Sequence, residues 1–385
     1  MVIGIDIRPL LDKRYSGVAL YTLELLKELF KQDTKNEYRL FYNSFRKKNI
    51  AVPEFSRPNV RLIQTRYPNK LFNYVGCKIL RRPYIDKILG ADIFFMPHIN
   101  FAALSKKCPR VVAVHDLSFM RYPYFFTARK NIWHRAVGVR RLLRRANSVA
   151  AVSGNTKNDI IDLCGIAAKK IFTVYPGIGR TYRKVPADDK NLSRVRAVYR
   201  LPNDFILYLG NIEPRKNIES IIEAYLMYRA KNTASDIKLV IAGAPAWKHR
   251  VITAIARGSR YSRDIIFTGY IAENDKLWLY NLAALFVFPS FYEGFGFPPL
   301  EAAACGTPVI ASNTSSLPEI SGGFALLVNP YNINELSEAI ETVLSDPALR
   351  AQLREKGLRQ TQKYTWEKCA RQMLEIFRAA GGSVV

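Results

Sequence analysis

A chain of 385 residues with 49% hydrophobic and 23% charged residues is globular rather than disordered, and it is long enough for about two domains. No apolar run approaches the roughly 18 residues of a membrane span, and the opening Met1-Val2-Ile3-Gly4-Ile5-Asp6 reads as a strand rather than a signal peptide, so a cytoplasmic protein is expected. The net charge of +26 sits almost wholly in residues 1–200, which hold 39 Lys/Arg against 14 Asp/Glu, and this asymmetry points to a polyanionic partner for that half.

The stretch 2–7 alternates into a buried strand, and after Ser16-Gly17-Val18 an amphipathic helix spans 18–31, with Leu20, Leu23, Leu26, Leu29 and Phe30 on its apolar side. Further strands are predicted at 38–42, 60–64, 93–96, 111–114, 148–152 and 171–175. Helical stretches between several of them argue for a doubly wound parallel sheet. The polar segment 186–203 reads as a linker. The pattern then restarts, with strands at 205–209, 238–242, 265–268, 284–288, 309–311 and 325–328. Helices are predicted at 217–230, 273–283, 334–344, 347–362 and 365–378. The fold class is therefore α/β, two Rossmann-like domains facing a deep cleft, at 1–185 and 204–364, with a closing helix in 365–385 that packs back toward the first domain. The five scattered cysteines indicate neither a disulfide framework nor a zinc site.

The most informative stretch is Glu293-Gly294-Phe295-Gly296-Phe297-Pro298-Pro299-Leu300-Glu301, between an apolar strand and a short helix ending near Gly306. Strand, glycine loop and helix place Glu293 and Glu301 at the carboxyl end of a strand, where open α/β sheets bind ligands. Gly294 and Gly296 leave backbone N–H groups uncovered beside a helix N-terminus, which favours an anion. The plain alternative is a glycine turn with two solvated glutamates. Earlier, Gly210-Asn211-Ile212-Glu213-Pro214-Arg215-Lys216-Asn217 sets a planar cation beside a point cation, a pair suited to a diphosphate or to a solvated basic turn. His115-Asp116 follows a buried strand; the histidine can donate to a sugar hydroxyl or a carbonyl, and Asp116 can fix its tautomer or help end the strand. His98 is a weaker copy of that position, and His134 and His249 have no supporting context.

Arg129, Lys130, Arg135, Arg140, Arg141, Arg144 and Arg145 share one predicted helix with Ile132, Trp133, Val137, Val139, Leu142 and Leu143, a basic amphipathic pattern suited to an anionic membrane surface or to a solvated face. The stretch 66–89, with Tyr67, Phe72, Tyr74 and Tyr84 among Lys70, Lys78, Arg81, Arg82 and Lys87, has the same character.

In order along the chain, Gly4-Ile5-Asp6-Ile7-Arg8-Pro9-Leu10, Ser16-Gly17-Val18, Val114-His115-Asp116-Leu117, Tyr175-Pro176-Gly177, 210–217, Phe267-Thr268-Gly269-Tyr270, 293–308 and Ser316-Leu317-Pro318-Glu319 resemble the family 4 retaining glycosyltransferases of the GT-B fold. Within that family the sequence looks most like bacterial mannosyltransferases of O-antigen and other surface-polysaccharide assembly. The resemblance implies a nucleotide-sugar donor, GDP-mannose or alternatively a UDP-sugar, with no cofactor and no metal. Arg215 and Lys216 would bind its diphosphate, Glu301 the ribose hydroxyls, and Glu293 with Gly294, Phe295 and Gly296 the transferred sugar. His115 would contact that sugar, Gly17 would let its loop approach the donor phosphate or the acceptor, and the backbone of Ile271 would meet the base. Asn211 stands where some relatives carry an arginine, so the diphosphate would rest on fewer cations. Pro176 stands where the family commonly has asparagine. The acceptor would be a polyprenyl-diphosphate-linked saccharide at the anionic inner leaflet, with Arg140, Arg141, Arg144 and Arg145 on the membrane and the protein peripheral there. Retention in the family is described as a front-face reaction in which the leaving diphosphate guides the acceptor hydroxyl.

Three other readings remain. A glycosidase would use Glu293 and Glu301 as its carboxylate pair, yet has no need of Arg215-Lys216. A nucleic-acid-binding protein would explain the charge, but no reader motif occurs, and no nucleic-acid partner is expected. A nucleotide-sugar epimerase on the same fold is separated only by its products.

Overall fold

The computed structural model describes residues 1–11, 16–46, 50, 52–245 and 249–382. Strands β1 (Val2–Asp6), β2 (Glu37–Asn43), β3 (Val60–Thr65), β4 (Ile93–Met96), β5 (Arg110–Val114), β6 (Ser148–Ala151) and β7 (Ile171–Thr173) form one parallel sheet in the order β3-β2-β1-β4-β5-β6-β7. Strands β8 (Phe205–Leu209), β9 (Lys238–Ala242), β10 (Ile265–Gly269), β11 (Leu285–Phe288), β12 (Val309–Ser312) and β13 (Ala325–Val328) form a second in the order β10-β9-β8-β11-β12-β13. The inner strands read as unbroken apolar runs because helices cover both faces of a parallel sheet; β4, β6, β8 and β11 are buried at every position. In each sheet the order reverses once, between β1 and β4 and between β8 and β11. Those reversals are where doubly wound sheets open a crevice at their strand ends.

The chain divides into one unit of Met1–Gly177 with Tyr364–Val385 and a second of Ile178–Lys363. The segment 186–203 is not a bare linker: it belongs to the second unit and contains the helix Lys190–Val198, started by Asp189, whose side chain accepts from Asn191 N. The closing helix Trp366–Gly381 belongs to the first unit. It buries Trp366, Cys369, Ala370, Met373, Leu374, Ile376 and Phe377, with the Phe377 ring 5.1 Å from Phe95 on β4 and Trp366 5.6 Å from Tyr21. Gly177 explains part of this fit: a Cβ there would stand 2.1 Å from the backbone nitrogen of Trp366.

The single helix expected over 129–145 is two. Ala128–Val137 ends at Gly138, whose φ of 69° is left-handed, and Val139–Arg144 begins after it. Within 66–89 the chain forms a wide helix, Leu71–Leu80, and a short one, Ile85–Leu89.

Candidate functional site

The loops after β8 and β11 meet at the reversal of the second sheet. After β8, Gly210 leaves the strand where the backbones of neighbouring strands converge: a Cβ on Gly243 would lie 1.8 Å from the Gly210 oxygen, and Gly210 N donates to Ala242 O at 3.0 Å. A short turn, Pro214–Lys216, follows, and Asn217 in the left-handed region (φ 57°) starts the helix Ile218–Lys231. Asn217 Nδ2 ties this turn to the other loop by donating to the oxygens of Pro289 (3.1 Å) and Pro330 (2.7 Å).

Arg215, Lys216 and Glu293 are brought together by this arrangement. Lys216 Nζ donates to Glu293 Oε1 at 2.6 Å and lies 4.9 Å from the centre of the Phe288 ring, a cation over a π face. Arg215 donates to Tyr292 O (2.8 Å) and Glu293 Oε2 (3.3 Å), and with its other edge to Glu213 Oε1 (3.2 and 3.1 Å). Ser290 Oγ donates to Glu293 Oε1 at 2.6 Å, and Ser315 Oγ accepts from Glu293 N. Burial alone would push the Glu293 carboxyl up, but Arg215, Lys216 and the hydrogen bonds from Lys216 and Ser290 outweigh it, leaving its pKa below the usual range. The cluster is thus a formally neutral set of two cations and two acids, Glu213 being the member that sequence reasoning missed. Its signal is an acid two residues before the arginine, a spacing that recurs in the first unit. There, buried Asp6 accepts from Arg8 in a fork of 2.8 and 2.6 Å.

Glu301 has a different set of partners. It sits in the helix Phe297–Ala304, 8% exposed, accepting from the Tyr280 hydroxyl at 2.8 Å, while Tyr182 donates to Glu273 at 3.2 Å. Burial raises its pKa; Lys276 opposes and Glu273 adds to the rise. Lys276 is itself held to Glu273 at 2.7 Å. The two carboxylates are therefore held by different partners, Glu293 by Arg215, Lys216 and Ser290, and Glu301 by Tyr280. Gly296 caps the helix at φ 114°, and a Cβ there would strike Leu317 at 2.7 Å. Pro298 and Pro299 occupy the first turn and carry no N–H, so this helix end has fewer donors for an anion than an ordinary one. Gly294 and Phe295 are buried in the loop, the Phe295 ring edge-on to Phe297 at 5.0 Å. Ser316 Oγ donates to the oxygens of Glu293 and Phe295, at 3.0 and 2.7 Å. Asn211 is exposed, its oxygen accepting from Tyr208; the Ile271 side chain is buried.

In the first unit, Gly17 is the first residue of the helix Gly17–Gln32, capped by Ser16, whose Oγ accepts from Ala19 N at 3.3 Å. His115 follows β5 and its Nε2 donates to Pro97 O at 2.8 Å, with the ring edge-on to Tyr21 at 4.5 Å. That bond assigns the proton to Nε2. Burial lowers the His115 pKa, although Pro97 and Asp116 oppose the fall, so the neutral ring presents Nδ1 as an acceptor rather than a second donor. Of the two partners expected for a His115 donor, a sugar hydroxyl or a carbonyl, the chain itself supplies the carbonyl of Pro97. Asp116 does not hold the ring; its Oδ1 accepts from Ser118 N at 2.9 Å and from the Ser118 hydroxyl, starting the next helical turn.

Arg140, Arg141, Arg144 and Arg145 are exposed, and Arg140 Nε donates to Leu163 O at 2.8 Å. Neighbouring Arg81 and Arg145 press the Arg141 pKa below its ordinary value, so positive charge from two segments is crowded there. The helix Leu71–Leu80 leaves large apolar side chains in solvent, Leu71 at 53%, Ile79 at 68% and Leu80 at 64% exposed. No helix among the described residues is long and apolar enough to cross a membrane, and among them no three His, Cys, Asp or Glu side chains converge as a metal ion would require.

Two doubly wound parallel-sheet units give the protein the GT-B class of fold, which solved structures of glycosyltransferases share over nearly the whole chain. Residues 15–181 match the model of Glycosyltransferase Family 4, and residues 191–360 match Glycosyl transferases group 1. The chain belongs to the family 4 glycosyltransferases. It is 29% identical to O-antigen chain mannosyltransferase B of Escherichia coli over 94% of this chain and 96% of that protein. It is 33% identical to the serotype-specific mannosyltransferase WbdA of E. coli over 60% of this chain, but spans only 29% of that protein's length. Sucrose-phosphate synthase from Thermosynechococcus elongatus shares the fold, with a TM-score of 0.77, 20% identity and 99% of both chains covered.

Proposed function

We infer that the protein is a retaining hexosyltransferase that moves mannose from GDP-mannose onto a polyprenyl-diphosphate-linked saccharide, in bacterial surface-polysaccharide assembly of the O-antigen type. The observation that carries this reading is the likeness to the O-antigen chain mannosyltransferase B, which runs over nearly the full length of both proteins. The chemistry of the second unit supports it. Lys216 and Arg215 are cations held in place before any ligand arrives, and orienting them on Glu293 avoids reorganisation when charge develops on a leaving diphosphate. As the diphosphate takes those donors, Glu293 is freed to accept from a sugar hydroxyl. Glu301, already braced by Tyr280, has acceptor capacity left for a ribose hydroxyl. His115, neutral with the proton on Nε2, has Nδ1 to accept a hydrogen bond from a hydroxyl of the transferred sugar. The exposed Leu71, Ile79 and Leu80 among basic neighbours, with the arginines of 140–145, suit a peripheral position on an anionic membrane.

The test is to incubate the full chain, in chelator, with a panel of GDP- and UDP-sugars, recording donor hydrolysis, protection from unfolding and the anomer of any transferred sugar. GDP-mannose should be cleaved and should protect, with retained configuration in the product. Preference for a UDP-sugar overturns the donor, an inverted product overturns retention, and activity restored only by a divalent ion overturns metal independence.

A further inference from the structure

The first unit contains a cavity of about 440 Å³ that the reaction described above does not use. It lies between the turn carrying Phe119 and Met120, Pro123, and the two helices Ala128–Val137 and Val139–Arg144 on either side of Gly138. Its size is that of a small-molecule site, for which roughly 300–1,000 Å³ is usual.

The wall is hydrocarbon. Phe119 lies flat on His134, ring centres 3.9 Å apart and planes 5° from parallel, and Met120 and Val139 complete the apolar surface. His134 carries no charge at neutral pH, since burial brings its pKa down to about 4. The wall offers few of the hydrogen bonds a sugar needs: Asn131 Nδ2 gives one of its two donors to Pro123 O at 2.8 Å, while Asn131 Oδ1 and His134 Nδ1 are sealed from solvent. The rim is the opposite, formed by Arg135, Arg140 and Arg141 with no acid among the lining residues. The bond from Arg140 Nε to Leu163 O fixes one of these guanidinium planes. The helix Ala128–Val137 buries none of its residues, and Tyr124 and Ile132 beside the cavity are 62% and 64% exposed.

We propose that this cavity takes the first segment of the chain of a prenyl diphosphate lipid, with the diphosphate held by Arg135, Arg140 and Arg141. An apolar pocket under three uncompensated guanidinium groups fits an amphiphile with a multiply charged head. A diphosphate satisfies planar arginine forks and their charge better than the single charge of a phosphodiester headgroup. The assignment rests on the lipid-linked acceptor of the proposed function and gives that acceptor a place on this chain.

Calorimetric titration of the full chain with farnesyl diphosphate, inorganic diphosphate and lysophosphatidylglycerol tests it. Farnesyl diphosphate should bind at least about tenfold more tightly than either of the others, a difference of roughly 1.4 kcal/mol. Met120→Trp, which fills the cavity, and Arg141→Glu, a fully exposed change that leaves the core untouched, should each weaken it at least about tenfold. Equal binding of inorganic diphosphate would reduce the site to an anion patch, and equal or tighter binding of the lysolipid would make it a phospholipid contact; either overturns the proposal, as does unchanged affinity in a folded Arg141→Glu. A chain that binds GDP but not farnesyl diphosphate sinks this inference alone. One that binds farnesyl diphosphate but no nucleoside diphosphate sinks the donor reading alone.

Discussion

Lys216 is the residue at which structure most changes the meaning of the sequence. Two adjacent cations suggest bare positive charge for a diphosphate, whereas the folded chain has already paired them with Glu293 and Glu213. Removing one partner of a buried pair costs roughly 3–5 kcal/mol. Glu293 keeps Arg215 and Ser290 when Lys216 is lost, so the lower end of that range is expected for Lys216→Ala. Its turnover should fall at least about tenfold, equivalent to roughly 1.4 kcal/mol of transition-state binding. Turnover is to be measured well below the variant's own melting temperature; a destabilised variant that turns over at the wild-type rate would confine Lys216 to a structural role. Gly17 gives the converse case. A Cβ there meets nothing within 4 Å among the described residues, and alanine is favoured over glycine in a helix by about 1 kcal/mol, so the ligand-free chain asks nothing of glycine at this position. Gly17→Ala should leave melting unchanged or raise it slightly. If a donor or acceptor approaches this backbone, kcat/KM should drop at least about tenfold, and an unchanged value removes Gly17 from the site.

At the scale of elements, the strands were legible because a parallel sheet covered on both faces demands continuous apolar runs, and 205–209 or 285–288 offer no competing period. The helix over 129–145 was misread because Gly138 interrupts a pattern that is otherwise continuous, and only its left-handed φ of 69° shows that it ends one helix rather than being tolerated inside it. The pairings that define the candidate site were not legible at all. Lys216 and Glu293 are 77 residues apart, and the His115 donor goes to a carbonyl on the loop after a neighbouring strand, so no local pattern records either bond. Gly177 belongs with these: the sequence marked its turn by family resemblance, while the structure supplies the reason, a backbone of Thr365 and Trp366 lying where a side chain would be. Gly177→Ala should destabilise the first unit by about 3 kcal/mol, the upper part of the usual overpacking range, because the obstacle is backbone and cannot rotate away. Urea denaturation measures this. A loss under about 0.5 kcal/mol would mean that the closing helix is not locked at this point.

Across the whole molecule the buried groups that respond to mild acidification differ between the two units, imidazoles in the first and the Glu301 carboxyl in the second. His98, His115 and His134 all belong to the first unit, and burial lowers each below its ordinary 6.5, His98 and His134 to about 4. His98 and His134 therefore bind more protons unfolded than folded between those values, so their contribution to stability is complete above about pH 6.5 and is lost as the pH falls toward 4, and His115 shifts in the same direction. Asp6, lowered in spite of burial by its fork to Arg8, adds a loss of the same sign, but only below its ordinary value of 3.8. In the second unit Glu301 is raised from 4.5, so ionising it works against folding and acidification toward 4.5 relieves that strain, while Glu293, held low by Arg215 and Lys216, begins to lose its contribution only below 4.5. Lowering the pH from 7 to 5 should therefore weaken the first unit and leave the second unchanged or slightly stronger. A full drop from 6.5 to about 4 at His98 is worth on the order of 3 kcal/mol by the time the pH reaches its lower end, and part of that is already lost by pH 5. Hydrogen exchange read by mass spectrometry at pH 7 and pH 5, corrected for the intrinsic exchange rate, reports each unit by its own peptides. Protection should fall in the peptides of 93–115 and hold in those of 285–304. His98→Gln and His134→Gln, which cannot take up the proton, should shrink the difference between the two pH values, more so together than singly. Equal loss of protection in both units, or an undiminished loss in the double variant, would place the acid sensitivity elsewhere than in these buried imidazoles.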